Sequence, residues 1–150
     1  MKIYFCKHSA DIQKTKESLI KRQFQNDNYQ LEYLPSGMPI IVKDGRQAGY
    51  VSISHTDDTL IMAFSDKPVG IDIESKNRKV STKICGSIQE WTRREAYGKF
   101  LGVGINKEVL AEQLPDDKIN TFFHGDYVVS MCSEEGVESV QTVIDNALDE

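Results

Sequence analysis

The stretch VGIDIE, Val69 to Glu74, decides how the rest of the chain is read. Side chains alternate along a strand, so Val69, Ile71 and Ile73 share one face, and Gly70, Asp72 and Glu74 share the other. The first face is ready for a core. The second sets two carboxylates side by side with no cation between them in sequence.

Upstream, YVSISHT (50–56) and TLIMAFS (59–65) read as strands, separated by Asp57-Asp58 and, before VGIDIE, by Asp66-Lys67-Pro68. The spacing predicts an antiparallel meander of three strands. MKIYFC opens the chain as a strand. Residues 11–24 form an amphipathic helix with Ile12, Leu19, Ile20 and Phe24 on its apolar side. After a break at 26–28, LEYLPSGMPIIV gives strand, turn and strand around Pro35-Ser36-Gly37, and KDGRQAG reads as a turn. Downstream, SKNRKVS is a polar, basic linker. A helix is expected from about Thr82 to Leu101, stopped by Gly102-Val103-Gly104. INTFFH and DYVVSMCS form a hairpin around Gly125, and VESVQTVI a last strand. Each half runs helix then antiparallel strands. The expectation is one α+β domain over 1–150, with similar lobes at about 1–76 and 77–150, each a helix packed on antiparallel strands.

Ile84, Ile88, Trp91, Glu95 and Lys99 fall on one stripe of the second helix. The stripe starts apolar and ends with an acid and a base one turn apart. Alone, that pair is an exposed i, i+4 contact worth a few tenths of a kcal/mol. Beside Asp72 and Glu74 it becomes an oxygen-rich site. Three carboxylates held close repel one another unless a cation sits among them. Mg²⁺ is the hard cation that takes few carboxylates and keeps positions open for water and phosphate oxygens. Lys99 would suit developing negative charge.

The bulk properties narrow the partners. The net charge of −5 is uneven: residues 1–50 carry +3, 51–100 carry +1 and 101–150 carry −9. An acidic chain with no Lys/Arg stripe interleaved with aromatics points away from nucleic acid. No window approaches the roughly 18 apolar residues needed to span a bilayer, so no membrane is expected. The start shows no signal peptide. Cys6, Cys85 and Cys132 are far apart and odd in number. They read as buried small residues in a reducing cytoplasm, and the expected localisation is cytoplasmic. His8 and His124 read as surface histidines. Tyr29, Tyr33, Phe122 and Phe123 read as core. Arg78, Lys79, Lys83, Arg93 and Arg94 read as a basic face that would suit an acidic docking partner.

The order SISH, then VGIDIE, then EWTRREAYGK resembles the 4′-phosphopantetheinyl transferases, in particular the surfactin-type branch with its mid-chain GID motif. The likeness runs from about Gly37 to Gly104. It implies a Mg²⁺-dependent transfer of phosphopantetheine from coenzyme A to a serine of an acyl or peptidyl carrier protein, releasing 3′,5′-ADP. By position, Asp72, Glu74 and Glu95 match the metal-binding acids, and Glu95 also the base for the incoming hydroxyl. Lys99 matches the lysine that steadies the pyrophosphate and leaving group. His55 matches the histidine on the 3′-phosphate of coenzyme A, and Ser54 beside it is expected to bind the cofactor too. Lys16, or else Lys21 or Arg22, would hold that phosphate too. Trp91 matches an aromatic packed under the helix.

The chain departs from that pattern in two places. Met38 stands where the family has a lysine in its turn, and only 23 residues separate Asp72 from Glu95, a shorter segment than the family's. Arg94 replaces the usual lysine before the glutamate. Two further readings follow: a coenzyme A- or carrier-protein-binding module that transfers nothing, and a Mg²⁺-dependent phosphohydrolase using the same acids.

Overall fold

The computed structural model describes residues 1–7, 11–80, 85–134 and, as backbone, 143–147. The chain order is β1 (Lys2–Lys7), α1 (Ile12–Phe24), β2 (Tyr29–Tyr33), β3 (Pro39–Lys43), β4 (Arg46–Thr56), β5 (Thr59–Ser65), β6 (Val69–Ser75), α2 (Ile88–Leu101), α3 (Lys107–Ala111), β7 (Ile119–His124), β8 (Tyr127–Ser133) and β9 (Val143–Ala147). The fold is α+β.

The strands form two sheets. The first has the order β2-β3-β4-β5-β1-β9, and the second β6-β8-β7. Neighbours are antiparallel, except β9, which runs parallel to β1. The three-strand meander is therefore only half present. β4 and β5 pair, but β6 pairs with β8. The reason is occupancy. β5 already has β4 on one edge and β1 on the other, so the chain leaves the sheet at Asp66-Lys67-Pro68 and begins a second one. The division near residue 76 thus does not follow the sheets: β6 from the first half and β9 from the second each join strands of the other half.

Period-two alternation sorts the side chains into layers. Ile3 and Phe5 of β1, Ile61 and Ala63 of β5, Val69, Ile71 and Ile73 of β6, and Val129 and Met131 of β8 form one buried cluster where the two sheets face each other. Tyr4, Cys6, Leu60, Met62 and Phe64 point the opposite way and pack with Leu19 and Ile20 of α1. β5 is buried on both faces, which explains its unbroken apolar run. On the far side of the second sheet, Ala96 of α2 packs with Ile119 and Cys132. The layers run α1, first sheet, second sheet, α2.

Local chemistry sets the element ends. Asp11 caps α1 by accepting from the Lys14 amide. KDGRQAG is a two-residue turn, not a seven-residue one: Asp44 and Gly45 both take positive φ, as a tight hairpin turn requires, and Arg46 already belongs to β4. The second helix starts at Ile88 rather than near Thr82. Ser87 accepts from the Glu90 amide, while the Glu90 carboxylate reaches back past Ser87 to accept from the Gly86 amide, so two side chains satisfy two amides at the helix start. It ends at Gly102, in the left-handed region. Residues 82–84, including Ile84 of the stripe, and the first six residues of VESVQTVI lie outside the described residues. So does His8. The three cysteines are buried thiols outside any disulfide. Tyr29 and Phe122 join the core. Tyr33 and Phe123 do not, being 49% and 58% exposed. His124 is not a free surface histidine but stacks on Phe5, with ring centroids 3.9 Å apart.

Gly70 lets α2 lie flat on the polar face of β6. A Cβ there would overlap the Ala96 carbonyl oxygen and come within 2.5 Å of the Phe100 amide nitrogen. Both are helix backbone, which has nowhere to move. Gly70→Ala should therefore cost at least about 2 kcal/mol in urea unfolding. Gly49→Ala, whose Cβ meets only Ser65 O at 3.4 Å, should stay within about 0.5 kcal/mol of the parent. Equal losses for the two would show that α2 is not seated through Gly70.

Candidate active site

Among the described residues β6 has backbone strand partners on its β8 side only. On its other side it faces β4, and side chains complete the junction. The hydroxyl of Ser52 accepts the Ile71 amide at 2.9 Å, and that of Ser54 accepts the Ile73 amide at 3.1 Å. Lys99, reaching from α2, donates to the carbonyls of Ile53 in β4 (2.9 Å) and Ile71 in β6 (3.0 Å). Alternating serines on a buried strand face thus substitute for a missing backbone ladder.

Asp72 sits at this junction. Its Oδ1 accepts from the Ser54 hydroxyl at 3.0 Å and lies 3.5 Å from Lys99 Nζ; its Oδ2 is buried without a partner among the described residues. Burial pushes the Asp72 carboxyl up to about 7. Lys99 and the Ser54 hydroxyl oppose the rise, and the charges of Glu74 and Glu95 add to it. Lys99 has three protons to give, and the two carbonyls and Asp72 account for all of them. Glu95, one helical turn before Lys99, is half-buried and has no hydrogen-bond partner among the described residues. Burial raises its carboxyl above the usual range; Lys99 and Arg78 pull against this, and Glu74 adds to it. Glu74 is 11% exposed and accepts from Arg78 at 2.7 Å.

Beside this cluster, α1, the β2–β3 turn, β4 and the end of α2 enclose a cavity of about 340 Å³. Lys16, His55 and Lys99 are on its wall, and among the described residues no carboxylate is. Of the candidate N-terminal bases only Lys16 reaches it, donating to the Tyr33 hydroxyl at 3.2 Å. Lys21 is drawn off by Asp27, and Arg22 lies over the Tyr4 ring. Met38 lines the wall too, giving an apolar thioether where a lysine would give charge.

The residues singled out in the sequence therefore fall into two adjoining groups. Asp72, Glu74, Glu95 and Lys99 surround the β4–β6 junction, and Lys16, His55 and Lys99 line the cavity; Ser54 belongs to the first group, through Asp72, rather than to the wall. Trp91 is half-buried on the same helix, with Arg78 5.9 Å above its ring. Three members of the basic face are engaged within the protein, while Lys79 is exposed. Arg78 serves Glu74, Arg93 reaches Thr121 and Asp116, and Arg94 donates to the carbonyls of Val109 and Glu112. Lys83 lies outside the described residues. Two contributors escaped the sequence reading. Ser52 was signalled by the S-x-S alternation, and Arg78 by its position four residues after Glu74.

The acids fit a hard cation in kind. All offer oxygen, Asp72 Oδ2 lacks a donor among the described residues, Glu74 and Glu95 raise the proton affinity of Asp72, and Glu74 raises that of Glu95. Yet among the described residues no three carboxylate, histidine or cysteine side chains converge as a ready metal cage, and one of the three acids is already engaged by an arginine. No protein-family model matches the chain, and no curated protein is detectably related to it in sequence.

The pH dependence of Asp72 is a direct check. Its folded pKa lies above the unfolded value, so the folded chain keeps a proton that the unfolded chain releases. That contribution is complete below about pH 4 and is lost as pH rises through about 7. In metal-free buffer, thermal melts should lose stability over this window, and Asp72→Asn should flatten the loss. An unchanged profile in the variant would mean that Asp72 is not the group responsible.

Proposed function

We propose that this protein is a phosphopantetheinyl transferase of the surfactin-type fold. In this reading it moves phosphopantetheine from coenzyme A to a serine of an acyl or peptidyl carrier protein, in the cytoplasm, and releases 3′,5′-ADP. The observation that supports the reading best is adjacency. A cavity walled by Lys16, His55 and Lys99, with no carboxylate among its described lining, opens beside a group of three acids. A molecule with a phosphate at one end and a pyrophosphate further along is the ligand that such a pairing suits.

The residues divide the work. Lys16 and His55 bind the 3′-phosphate and hold the nucleotide end. Lys99, at the boundary of cavity and acids, turns part of its donor capacity to the pyrophosphate and stabilises charge on the departing 3′,5′-ADP. Glu95, whose proton affinity is raised by burial, takes the proton of the serine hydroxyl as it attacks the β-phosphorus. The phosphoanhydride bond breaks as the new phosphodiester forms. Asp72, Glu74 and Glu95 would hold Mg²⁺, which, when bound, neutralises the pyrophosphate oxygens. Asp72 is kept in place by Ser54.

A second reading has its own support. Lys99 spends its donors on the protein, and Arg78 occupies Glu74. A module that binds coenzyme A or a carrier without transfer would tolerate both.

Intact-mass analysis of an apo carrier protein with coenzyme A and Mg²⁺ separates the two. Transfer adds one phosphopantetheine to the carrier, and Glu95→Gln should slow this by about 10²-fold or more. Coenzyme A binding with no mass gain on several carriers would favour the module. Lys16→Ala should weaken coenzyme A by roughly tenfold while leaving dephospho-coenzyme A nearly unaffected. Equal weakening of both ligands would remove Lys16 from the 3′-phosphate site.

A further inference from the structure

Arg78 follows β6 on a turn in which its amide donates to the Ser75 carbonyl at 3.0 Å. That turn keeps its side chain within reach of Glu74, and the 2.7 Å ion pair closes over a carboxylate that is 11% exposed. The guanidinium itself is half exposed. It also feels the charges of Asp72 and Glu95, so it is the cation that the three acids share with Lys99. A guanidinium has five donors and no lone pair to offer a metal. It cannot join a coordination sphere and repels a cation that enters one.

We infer that Arg78 is an internal competitor for the metal: it holds Glu74 in the metal-free protein and is displaced when a divalent cation takes Asp72, Glu74 and Glu95. The inference rests on the metal site of the proposed function and adds a device to it. Charge favours the exchange. With all three acids ionised, Arg78 and Lys99 leave one negative charge, and replacing Arg78 by a divalent ion brings the group to neutrality. The route is open, because the side chain that must leave is the exposed partner and the one that stays is buried. The exchange carries its own reporter. The guanidinium lies 5.9 Å above the ring of Trp91, the chain's one tryptophan, so its departure removes a charge from the indole face.

The test is a Mg²⁺ titration of metal-stripped protein, followed by calorimetry and by tryptophan fluorescence, with no substrate present. The parent should bind Mg²⁺ with a change in Trp91 emission. Arg78→Gln should bind roughly fivefold tighter, the order expected from removing a half-exposed ion pair, and show little emission change. Arg78→Lys keeps the charge and should bind about as weakly as the parent. If parent and Arg78→Gln both bind Mg²⁺ with the same affinity, Arg78 is no competitor, while the metal site itself stands. If neither takes up Mg²⁺, the inference and the metal site fall together.

Discussion

One ammonium group joins the two sheets. Lys99 Nζ bonds the Ile53 carbonyl of β4, the Ile71 carbonyl of β6 and, at 3.5 Å, the carboxylate of Asp72. Burying a lysine head is costly unless every donor is met and a counter-charge is near. Here both conditions hold. The ammonium can be placed there because Gly70 lets α2 approach, and Ser52 and Ser54 satisfy the β6 amides that no strand pairs. The chemistry proposed for the site uses the same atoms as the architecture. The lysine that steadies the sheets borders the cavity, and the acid that balances it carries the unpartnered oxygen.

Much of this was legible in the sequence. The two-faced reading of VGIDIE holds: Ile71 and Ile73 are core, and Asp72 and Glu74 lie opposite, towards α2. The i, i+4 stripe correctly brings Glu95 and Lys99 to those carboxylates, since helix periodicity is local and strong. Lys16 and His55, far apart in sequence, do share a wall.

What was hidden is non-local. Nothing in TLIMAFS says that its second edge belongs to β1, so the third strand of the meander was assigned to the wrong neighbour. β9 returning parallel to β1 is equally silent in a local pattern. Arg93 and Arg94 look like a solvated basic face until α3 and the chain before β7 fold back to accept their donors. The late start of α2 has a local signal in Ser87 and Glu90, three residues apart, whose side chains bond amides at the helix start; the apolar stripe that runs back to Ile84 carries no such mark.

If the cavity and the acids form one site, a single ligand spans both, and a crystal structure with coenzyme A and Mg²⁺ would show it. One site puts the 3′-phosphate against Lys16 and His55, the pyrophosphate at Lys99, and the metal between it and Asp72, Glu74 and Glu95. Coenzyme A bound elsewhere, or seated in the cavity with its pyrophosphate turned away from Lys99, would contradict it.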